Sequence, residues 1–191
     1  MDKIGLRQEI DPSIVIEDIL VSSMGLKKYV WIIDQLRLVD VSKDKTYQTQ
    51  FNGFYRLRRD DNWRRAYYAY FEKAKNNSPT FEDILVYLYE CSGAVEASYA
   101  SKMLATINTE MPIWDQFVIK NLGVKLPSMN DPERLAKTIS IYNDIIEWYQ
   151  NYMMTANAQR CLKVFDKRLP HYQRISSVKK IDFFLWSIRE R

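Results

Sequence analysis

Apolar residues recur at helical spacing along most of this chain, in segments that begin and end at helix boundary signals. The longest segment runs from Leu135 to Tyr152 and carries an apolar or aromatic residue every three or four positions. Asp131-Pro132-Glu133 precedes it, and Asp11-Pro12-Ser13 precedes another apolar run; each places an acid ahead of a proline that suits the first turn of a helix. The chain contains only five Gly and six Pro. The pattern predicts an all-α protein of helices joined by short turns.

The same signals predict where individual helices begin and end. Gly25 is expected to end the first helix, and the apolar stretch Lys28–Val41 is expected to form the second. The polar stretch Ser42–Asn52 predicts a loop, and Ser177–Arg191 predicts the last helix. No fixed-period repeat and no low-complexity linker divides the sequence. We therefore predict a single all-α unit over residues 1–191, within which the helices could form two lobes.

Composition restricts the classes of function. The formal net charge is +4 with 24 acidic residues, a mild bias that does not by itself indicate nucleic-acid binding. Cys91 and Cys161 are too few for a structural zinc site or an iron–sulfur cluster, and both are expected to be reduced and buried. The single histidine, His171, offers no obvious Ser-His-Asp pairing. These residues therefore predict no metal site.

The N-terminal residues lack the apolar core of a signal peptide. No stretch of the sequence reaches the length of a membrane span. These observations predict a cytoplasmic protein without a membrane partner.

The best candidate for a catalytic site is the segment from Cys91 to Gly123, CSGAVEASYASKMLATINTEMPIWDQFVIKNLG. It is typical of two helices separated by a polar break, and Asp115 stands near the start of the second helix between Trp114 and Phe117. Two interpretations are open. An acid in the first turn of a helix is stabilised by free N–H groups and the helix dipole. Alternatively, aromatic neighbours exclude water from the carboxylate, which then stabilises a developing cation or orients a water molecule.

A second candidate is the aromatic and basic segment from Phe51 to Lys75. It could follow a phosphate backbone, with Tyr55 or Trp63 stacking on a base. It could equally be a helix with a solvated basic face and an aromatic core face, since Asp60 and Asp61 interrupt the positive charge. The basic residues concerned are Arg56, Arg58, Arg59, Arg64 and Arg65.

Two stretches resemble the helix-hairpin-helix DNA glycosylases. Ser92 to Ser98 (SGAVEAS) is similar to the family's hairpin, written roughly Leu-Pro-Gly-Val-Gly-x-Lys/Gln-Thr-Ala. Ile113 to Lys120 (IWDQFVIK) is similar to the family's segment with the catalytic aspartate, and Leu122-Gly123 follows soon after. Gly93 and Asp115 are 22 positions apart, as that family would have them. The resemblance implies a glycosylase-like helical bundle and duplex DNA as the partner.

The resemblance also implies roles for individual residues. Asp115 would be the catalytic carboxylate in the removal of a damaged base flipped from the duplex, with a base pocket near Trp114, Tyr55 and Trp63. Phosphates would be held by the hairpin and by nearby basic side chains: Gly93, Val95, Ser98, Lys102, Lys120, Arg64 and Arg65. No metal or organic cofactor is needed.

Two positions depart from the family pattern. Val95 replaces the second hairpin glycine, which changes how closely the backbone can approach a phosphate. Ala97 occupies the position of the Schiff-base lysine, which implies a monofunctional, water-using glycosylase or a relative that has lost activity. The alternative function is a non-catalytic all-α module that binds DNA or protein.

Overall fold

A computed structural model of the protein describes residues 4–21 and 23–188. Within these residues all regular secondary structure is helical and there is no strand, which confirms the all-α prediction. The helices are α1 (Pro12–Val21), α2 (Ser23–Gln35), α3 (Lys45–Tyr55), α4 (Asp61–Ala74), α5 (Phe81–Ser92), α6 (Ala97–Ile107), α7 (Gln116–Asn121), α8 (Arg134–Met153), α9 (Ala156–Arg168) and α10 (Ser177–Ser187), with a 3-10 turn at Pro170–Tyr172. No helix among the described residues has both the length and the apolar character needed to cross a membrane.

The chain divides into two compact units. We call Met24–Asn108 the contiguous unit, because it is one stretch of chain. We call Met1–Ser23 together with Thr109–Arg191 the discontinuous unit. The segment from Cys91 to Gly123 therefore contributes its first helix to the contiguous unit and Asp115 to the discontinuous unit.

The contiguous unit is built around aromatic side chains from α3 and α4. Their rings meet at centroid distances of 5.4 to 6.3 Å for the pairs that Phe71 makes with Phe51, Tyr67 and Tyr47, all in edge-to-face geometry. Edge-to-face contacts are favoured because the positive rim of one ring meets the negative face of the next. Tyr68 completes the cluster and donates a hydrogen bond from its hydroxyl to Asn52 Oδ1 at 2.7 Å. The aromatic residues of this segment therefore form the core.

The discontinuous unit is closed by its N-terminal part, because α1 packs against α9 and α10. Ile16 and Ile19 of α1 are buried there, as are Phe165 of α9 and Phe184 of α10. The backbone ahead of α1 is also tied to α7, since the Gly5 N–H donates to the Leu122 carbonyl at 3.2 Å. Helix α10 contacts α7, α8 and α9 and thus lies at the centre of this unit.

The predicted loop over Ser42–Asn52 is wrong, because most of it belongs to α3. Asp44 caps this helix by accepting a hydrogen bond from the Tyr47 N–H at 2.7 Å. Tyr47, Phe51 and Tyr55 then recur at four-residue spacing and are buried on one face. Polar residues fill the other face. Because they outnumber the apolar residues, the average polarity of this stretch is typical of a loop even though one face is apolar.

Three other boundaries differ from the sequence predictions. Gly25 lies inside α2 and does not end a helix. Helix α2 itself ends at Gln35, six residues before Val41. Helix α10 ends at Ser187, and the last three residues of its predicted range lie outside the described residues. The Asp11-Pro12-Ser13 start is confirmed, since Asp11 Oδ1 accepts a hydrogen bond from the Ser13 N–H at 3.0 Å.

Candidate functional site

Helices α5 and α6 form a helical hairpin joined by a short turn at residues 93–96. Thr80 begins it with a capping box, in which its side chain and that of Asp83 each accept from the other's backbone N–H. Gly93 ends α5 in the left-handed region, with φ of 68°, and its N–H donates to the Tyr89 carbonyl at 2.7 Å. Such a conformation favours glycine because a Cβ would be strained there. Gly93, the glycine of the predicted hairpin, therefore ends α5 and allows the chain to turn toward α6.

The proposed phosphate contacts of the hairpin fall into two groups. Gly93 is exposed, and Val95 and Ser98 are half-buried at the turn and the start of α6. Lys102 is 7% exposed, and its Nζ donates to the Tyr55 carbonyl at 3.0 Å. Tyr55 is buried as well. The structure thus brings Lys102 and Tyr55 together in the interior of the contiguous unit, where Lys102 already holds a backbone carbonyl.

Trp63 lies beside the hairpin. Its ring is 5.2 Å from that of Tyr99 on α6, and the guanidinium of Arg59 lies over it at 5.6 Å. Arg59 also forms an ion pair with Glu96, the residue that precedes α6. A half-buried indole beneath a guanidinium gives a face of aromatic and cationic character in the contiguous unit.

The side chains of Arg64 and Arg65 both interact with neighbouring side chains of α4. Arg64 pairs with Asp61, and Arg65 donates to the Asn62 side chain. Such pairs one helical turn apart are common on solvated helix faces. They agree with the interpretation of this segment as a helix whose polar face is solvated and whose aromatic face forms the core.

Asp115 is half-buried at the start of α7. Its Oδ1 accepts a hydrogen bond from the Phe117 N–H at 2.9 Å, which confirms that it caps the helix. This hydrogen bond uses one of the two carboxylate oxygens. Trp114, immediately before it, is buried.

The segment that leads to Asp115 is fixed from α8 and from the start of α10. The Tyr142 hydroxyl donates to the Pro112 carbonyl at 2.6 Å. The Ser176 hydroxyl donates to the Thr109 carbonyl, also at 2.6 Å. These two hydrogen bonds hold the backbone before Asp115 at both ends of the turn.

A buried charge network lies next to this segment, formed by Tyr149 of α8 with Lys179 and Asp182 of α10. The Tyr149 hydroxyl donates to Asp182 Oδ1, and the Lys179 Nζ lies 3.6 Å from Asp182 Oδ2. Asp182 also accepts a hydrogen bond from the Ile113 N–H, two residues before Asp115. Asp182 is 1% exposed and Lys179 is 3% exposed.

Burial shifts the pKa values of both charged groups in this network. It raises the pKa of Asp182 to about 6, against the opposing effects of Lys179 and the Tyr149 hydrogen bond. It lowers the pKa of Lys179, while the negative charges of Asp182 and Asp115 act in the opposite direction. Perturbed groups clustered beside a candidate carboxylate are typical of functional sites.

None of Tyr149, Lys179 and Asp182 was predicted as a site residue from the sequence. A signal was present. Lys179 and Asp182 are three residues apart and directly adjoin the apolar positions Val178 and Ile181 of α10. Charged residues at that spacing on a strongly apolar helix indicate a buried ion pair.

Lys120 is exposed near the end of α7 and lines an open cavity of about 610 Å³ with residues of the N-terminal segment, among them Arg7 and Asp18. The lining carries charges of both signs. Lys120, Trp114 and Asp115 lie in the discontinuous unit, whereas the remaining predicted site residues lie in the contiguous unit.

The prediction of two buried thiols is half wrong. Cys161 is buried, but Cys91 is exposed near the end of α5. The apolar context of Cys91 belongs to the other face of that helix, which carries Ile84, Leu85 and Leu88. Among the described residues, no group of three or more His, Cys, Asp or Glu side chains is arranged to hold a metal ion.

Comparisons of the chain with protein-family models, with curated proteins and with solved structures found no match.

Proposed function

We propose that this protein binds duplex DNA and hydrolyses the N-glycosidic bond of a damaged base turned out of the duplex, with Asp115 as the catalytic carboxylate. The supporting observation is the order of elements. A helical hairpin with a left-handed Gly93 at its turn is followed by a helix that begins at a half-buried aspartate. This is the order that the resemblance to helix-hairpin-helix glycosylases implies.

Asp115 would stabilise the positive charge that develops on the sugar as the base departs. Its hydrogen bond to the Phe117 N–H fixes the orientation of the carboxylate through one oxygen. The second oxygen is then oriented by the same geometry and can face the sugar or a water molecule. A carboxylate held in place before the reaction needs little rearrangement as the charge forms.

The exposed turn of the hairpin would bind the DNA backbone through Gly93 and its neighbours, with Ser98 as a side-chain donor. Lys102 contributes indirectly in this proposal, because its Nζ holds the Tyr55 carbonyl. Trp63 lies beneath Arg59 and stacks on Tyr67 at 5.0 Å, so a base would stack on this indole only after displacing Arg59. Ala97 is buried at the position of the family's lysine, so water would be the nucleophile.

A second candidate is a non-catalytic helical module that binds DNA or protein. The observation that favours it is the cap itself, since Asp115 accepts the Phe117 N–H as an ordinary N-cap aspartate does. In that case Asp115 stabilises α7 and has no part in chemistry.

Asp115→Asn separates the two candidates, because Asn caps helices about as well as Asp but lacks the charge. We expect base release to fall by roughly 10²-fold or more, with unfolding and duplex binding unchanged. Asp44→Asn is the matched control, since Asp44 caps α3 through the Tyr47 N–H in the same way. Release of bases from duplexes with deaminated, oxidised or alkylated bases is the measurement.

Binding to a duplex that contains a positively charged abasic-sugar analogue gives an independent test. A glycosylase should prefer this analogue to undamaged duplex by roughly 10²-fold or more, because the analogue carries the charge of the transition state. Asp115→Asn should lose the preference and Asp44→Asn should keep it. Equal binding to both duplexes would favour the non-catalytic module.

A further inference from the structure

The connection between α3 and α4 carries two arginines whose side chains the fold does not use. We call these residues, 56–60, the arginine loop. Arg56 and Arg58 are exposed, whereas Leu57 between them is 3% exposed and anchors the loop in the core. Within the described part of the chain, no hydrogen bond or ion pair engages either guanidinium. Because arginine keeps its charge and donates several hydrogen bonds, both side chains are available to an anionic partner.

The backbone of the arginine loop is held in one conformation at its start. Arg56 lies in the left-handed region, with φ of 53°, which residues other than glycine adopt only where the surrounding structure requires it. The Leu57 N–H donates to the Asn52 carbonyl at 3.0 Å. Lys102 Nζ donates to the Tyr55 carbonyl, so helix α6 of the hairpin fixes the residue directly before the loop. The two exposed arginines therefore extend from a fixed backbone.

The arginine loop is also connected to the turn of the α5–α6 hairpin. Arg59, in the loop, forms an ion pair with Glu96, the last residue of the hairpin turn. The Arg59 guanidinium lies over the Trp63 ring, and that ring is 5.2 Å from the ring of Tyr99 on α6. These contacts place the arginine loop beside the hairpin turn, within the contiguous unit.

The two aspartates near these arginines are engaged by local partners. Asp60 accepts a hydrogen bond from a backbone N–H of α4 at 2.9 Å, and Asp61 forms an ion pair with Arg64. Over residues 56–65 five arginines face these two aspartates. The segment therefore keeps a net positive charge, which attracts phosphate groups.

We propose that the arginine loop and the hairpin turn form one surface for the sugar–phosphate backbone of duplex DNA, with Arg56 and Arg58 as phosphate-binding side chains. The inference rests on the proposed function and deepens it, because it adds a second element to the surface that binds DNA. The planar guanidinium of arginine matches the geometry of a phosphate group. Phosphate contacts position a protein on DNA and carry no sequence information, so the loop contributes affinity and not the choice of lesion.

The first experiment measures binding to undamaged duplex DNA over a range of salt concentrations. Each phosphate contact that is lost should flatten the slope of log affinity against log salt by about one unit, because fewer counterions are released. Arg56→Gln/Arg58→Gln should therefore flatten the slope by about two units. Arg56→Lys/Arg58→Lys keeps both charges and should keep most of the slope. An unchanged slope in the glutamine variant would overturn the inference.

Lys73→Gln is the matched control in the same unit. Lys73 is exposed in the last turn of α4, roughly 18 Å along the helix from Asp61. That separation exceeds the Debye length of about 8 Å at physiological ionic strength, so the slope should not change. If Lys73→Gln flattened the slope as much for each charge removed, the effect would come from overall charge and the inference would be overturned. Urea unfolding checks that all variants fold.

The second experiment tests direct contact by disulfide cross-linking to a duplex that carries a thiol tethered to one phosphate. Cys91 is exposed and would react itself, so Cys91→Ser is the background, while Cys161 stays buried. Arg58→Cys in this background should form the cross-link and Lys73→Cys should not. Equal yields from the two positions would contradict a phosphate contact at the arginine loop.

The outcomes separate this inference from the proposed function. Base release by a protein whose slope is unchanged in Arg56→Gln/Arg58→Gln overturns only the arginine-loop surface. A flattened slope in a protein that releases no base from any lesion overturns only the glycosylase function. A wild-type protein that does not bind duplex DNA overturns both. If the glutamine variant loses binding to a poly-glutamate peptide and keeps the duplex slope, the loop binds acidic protein instead and the inference is overturned.

Discussion

Asp182 is a carboxyl group in surroundings that oppose its charge. Burial raises its pKa, whereas Lys179 and the Tyr149 hydroxyl favour the ionised form and limit the rise. Asp115, by contrast, is half-buried and bonded to a backbone N–H at a helix start. Because the pKa of Asp182 is higher in the folded protein than in the unfolded chain, this residue makes the stability of the fold depend on pH.

Asp182→Asn should change that pH dependence. The pKa of Asp182 rises from 3.8 to about 6 on folding, so between these values the native state binds a proton that the unfolded chain releases. This contribution to the free energy of unfolding is present at low pH and falls by roughly 3 kcal/mol as the pH rises from about 4 to about 6. The variant should lose this decline. Urea unfolding across that pH range is the measurement.

The absolute stability of Asp182→Asn will be lower at all pH values, because Lys179 loses its counter-charge. The test is therefore how steeply the free energy of unfolding changes with pH, and not its absolute value. Asp166→Asn removes a carboxylate from the ion pair with Lys180 and should keep the wild-type decline between pH 4 and 6. A variant at Asp182 with an unaltered slope would contradict the assignment.

The two cysteines should differ sharply in reactivity. Cys161 is fully buried, and burial raises the pKa of its thiol to about 11, whereas Cys91 is exposed. Since the thiolate is the reactive form, a thiol reagent at neutral pH should modify Cys91 in the native protein and Cys161 only after unfolding. Mass spectrometry of the labelled peptides checks this. Cys91→Ser should abolish the native reaction, and labelling of Cys161 in that folded variant would contradict the expectation.

Among the elements, the α5–α6 hairpin depends on a backbone conformation that other residues adopt poorly. Gly93 has φ of 68°, yet a Cβ at this position would meet no atom within 4 Å. A glycine is therefore needed at position 93 because of the backbone conformation, and not because a larger side chain would clash. Gly53 differs, since it lies inside α3 on an exposed face and also has open space around it.

These two glycines form a matched pair for substitution. Gly93→Ala should lower the free energy of unfolding by about 1 kcal/mol, because a Cβ is strained in the left-handed region. Gly53→Ala should raise it by roughly 0.5–1 kcal/mol, because alanine restricts the unfolded chain and favours a helix. Chemical denaturation measures both. Stabilisation by Gly93→Ala would show that the turn does not keep this conformation in solution.

At the scale of the whole molecule, helix α1 joins the two ends of the sequence. It packs against α9 and α10, and Asn157 Nδ2 donates to the Ile10 carbonyl at 2.8 Å. The discontinuous unit thus needs contacts between residues about 150 positions apart. Such contacts are costly to form because a long loop must close before they contribute.

Ile16→Ala should therefore weaken the discontinuous unit. Ile16 is 0% exposed, and the loss of a fully buried isoleucine costs about 2–5 kcal/mol. Ile14→Ala is the control on the same helix, since Ile14 is 50% exposed and should change stability little. Unfolding measures the loss, and hydrogen exchange should show reduced protection in α9 and α10. Equal effects of the two substitutions would contradict the packing of α1.

The order and approximate extent of most helices were predictable because helix formation depends on neighbours in the chain. The spacing of apolar residues in α8 and the Asp11 cap at α1 are local signals, and both predictions are confirmed. Helix α3 was missed for a physical reason. Its three buried aromatic residues are outnumbered by polar ones. The average polarity therefore predicts a loop, whereas the spacing of the aromatic residues places them on one buried helix face.

Local sequence signals are enough to predict that the chain is all-helical and that Asp115 begins a helix, because caps and periodicity act within one or two turns. Which charges leave water depends instead on how the helices pack. The packing buries Lys179 with Asp182, directs Lys102 to the Tyr55 carbonyl, and leaves Cys91 exposed. Burial depends on contacts between helices far apart in the sequence, and no local pattern specifies those contacts. The surroundings of Asp115 are therefore a property of the packed helices.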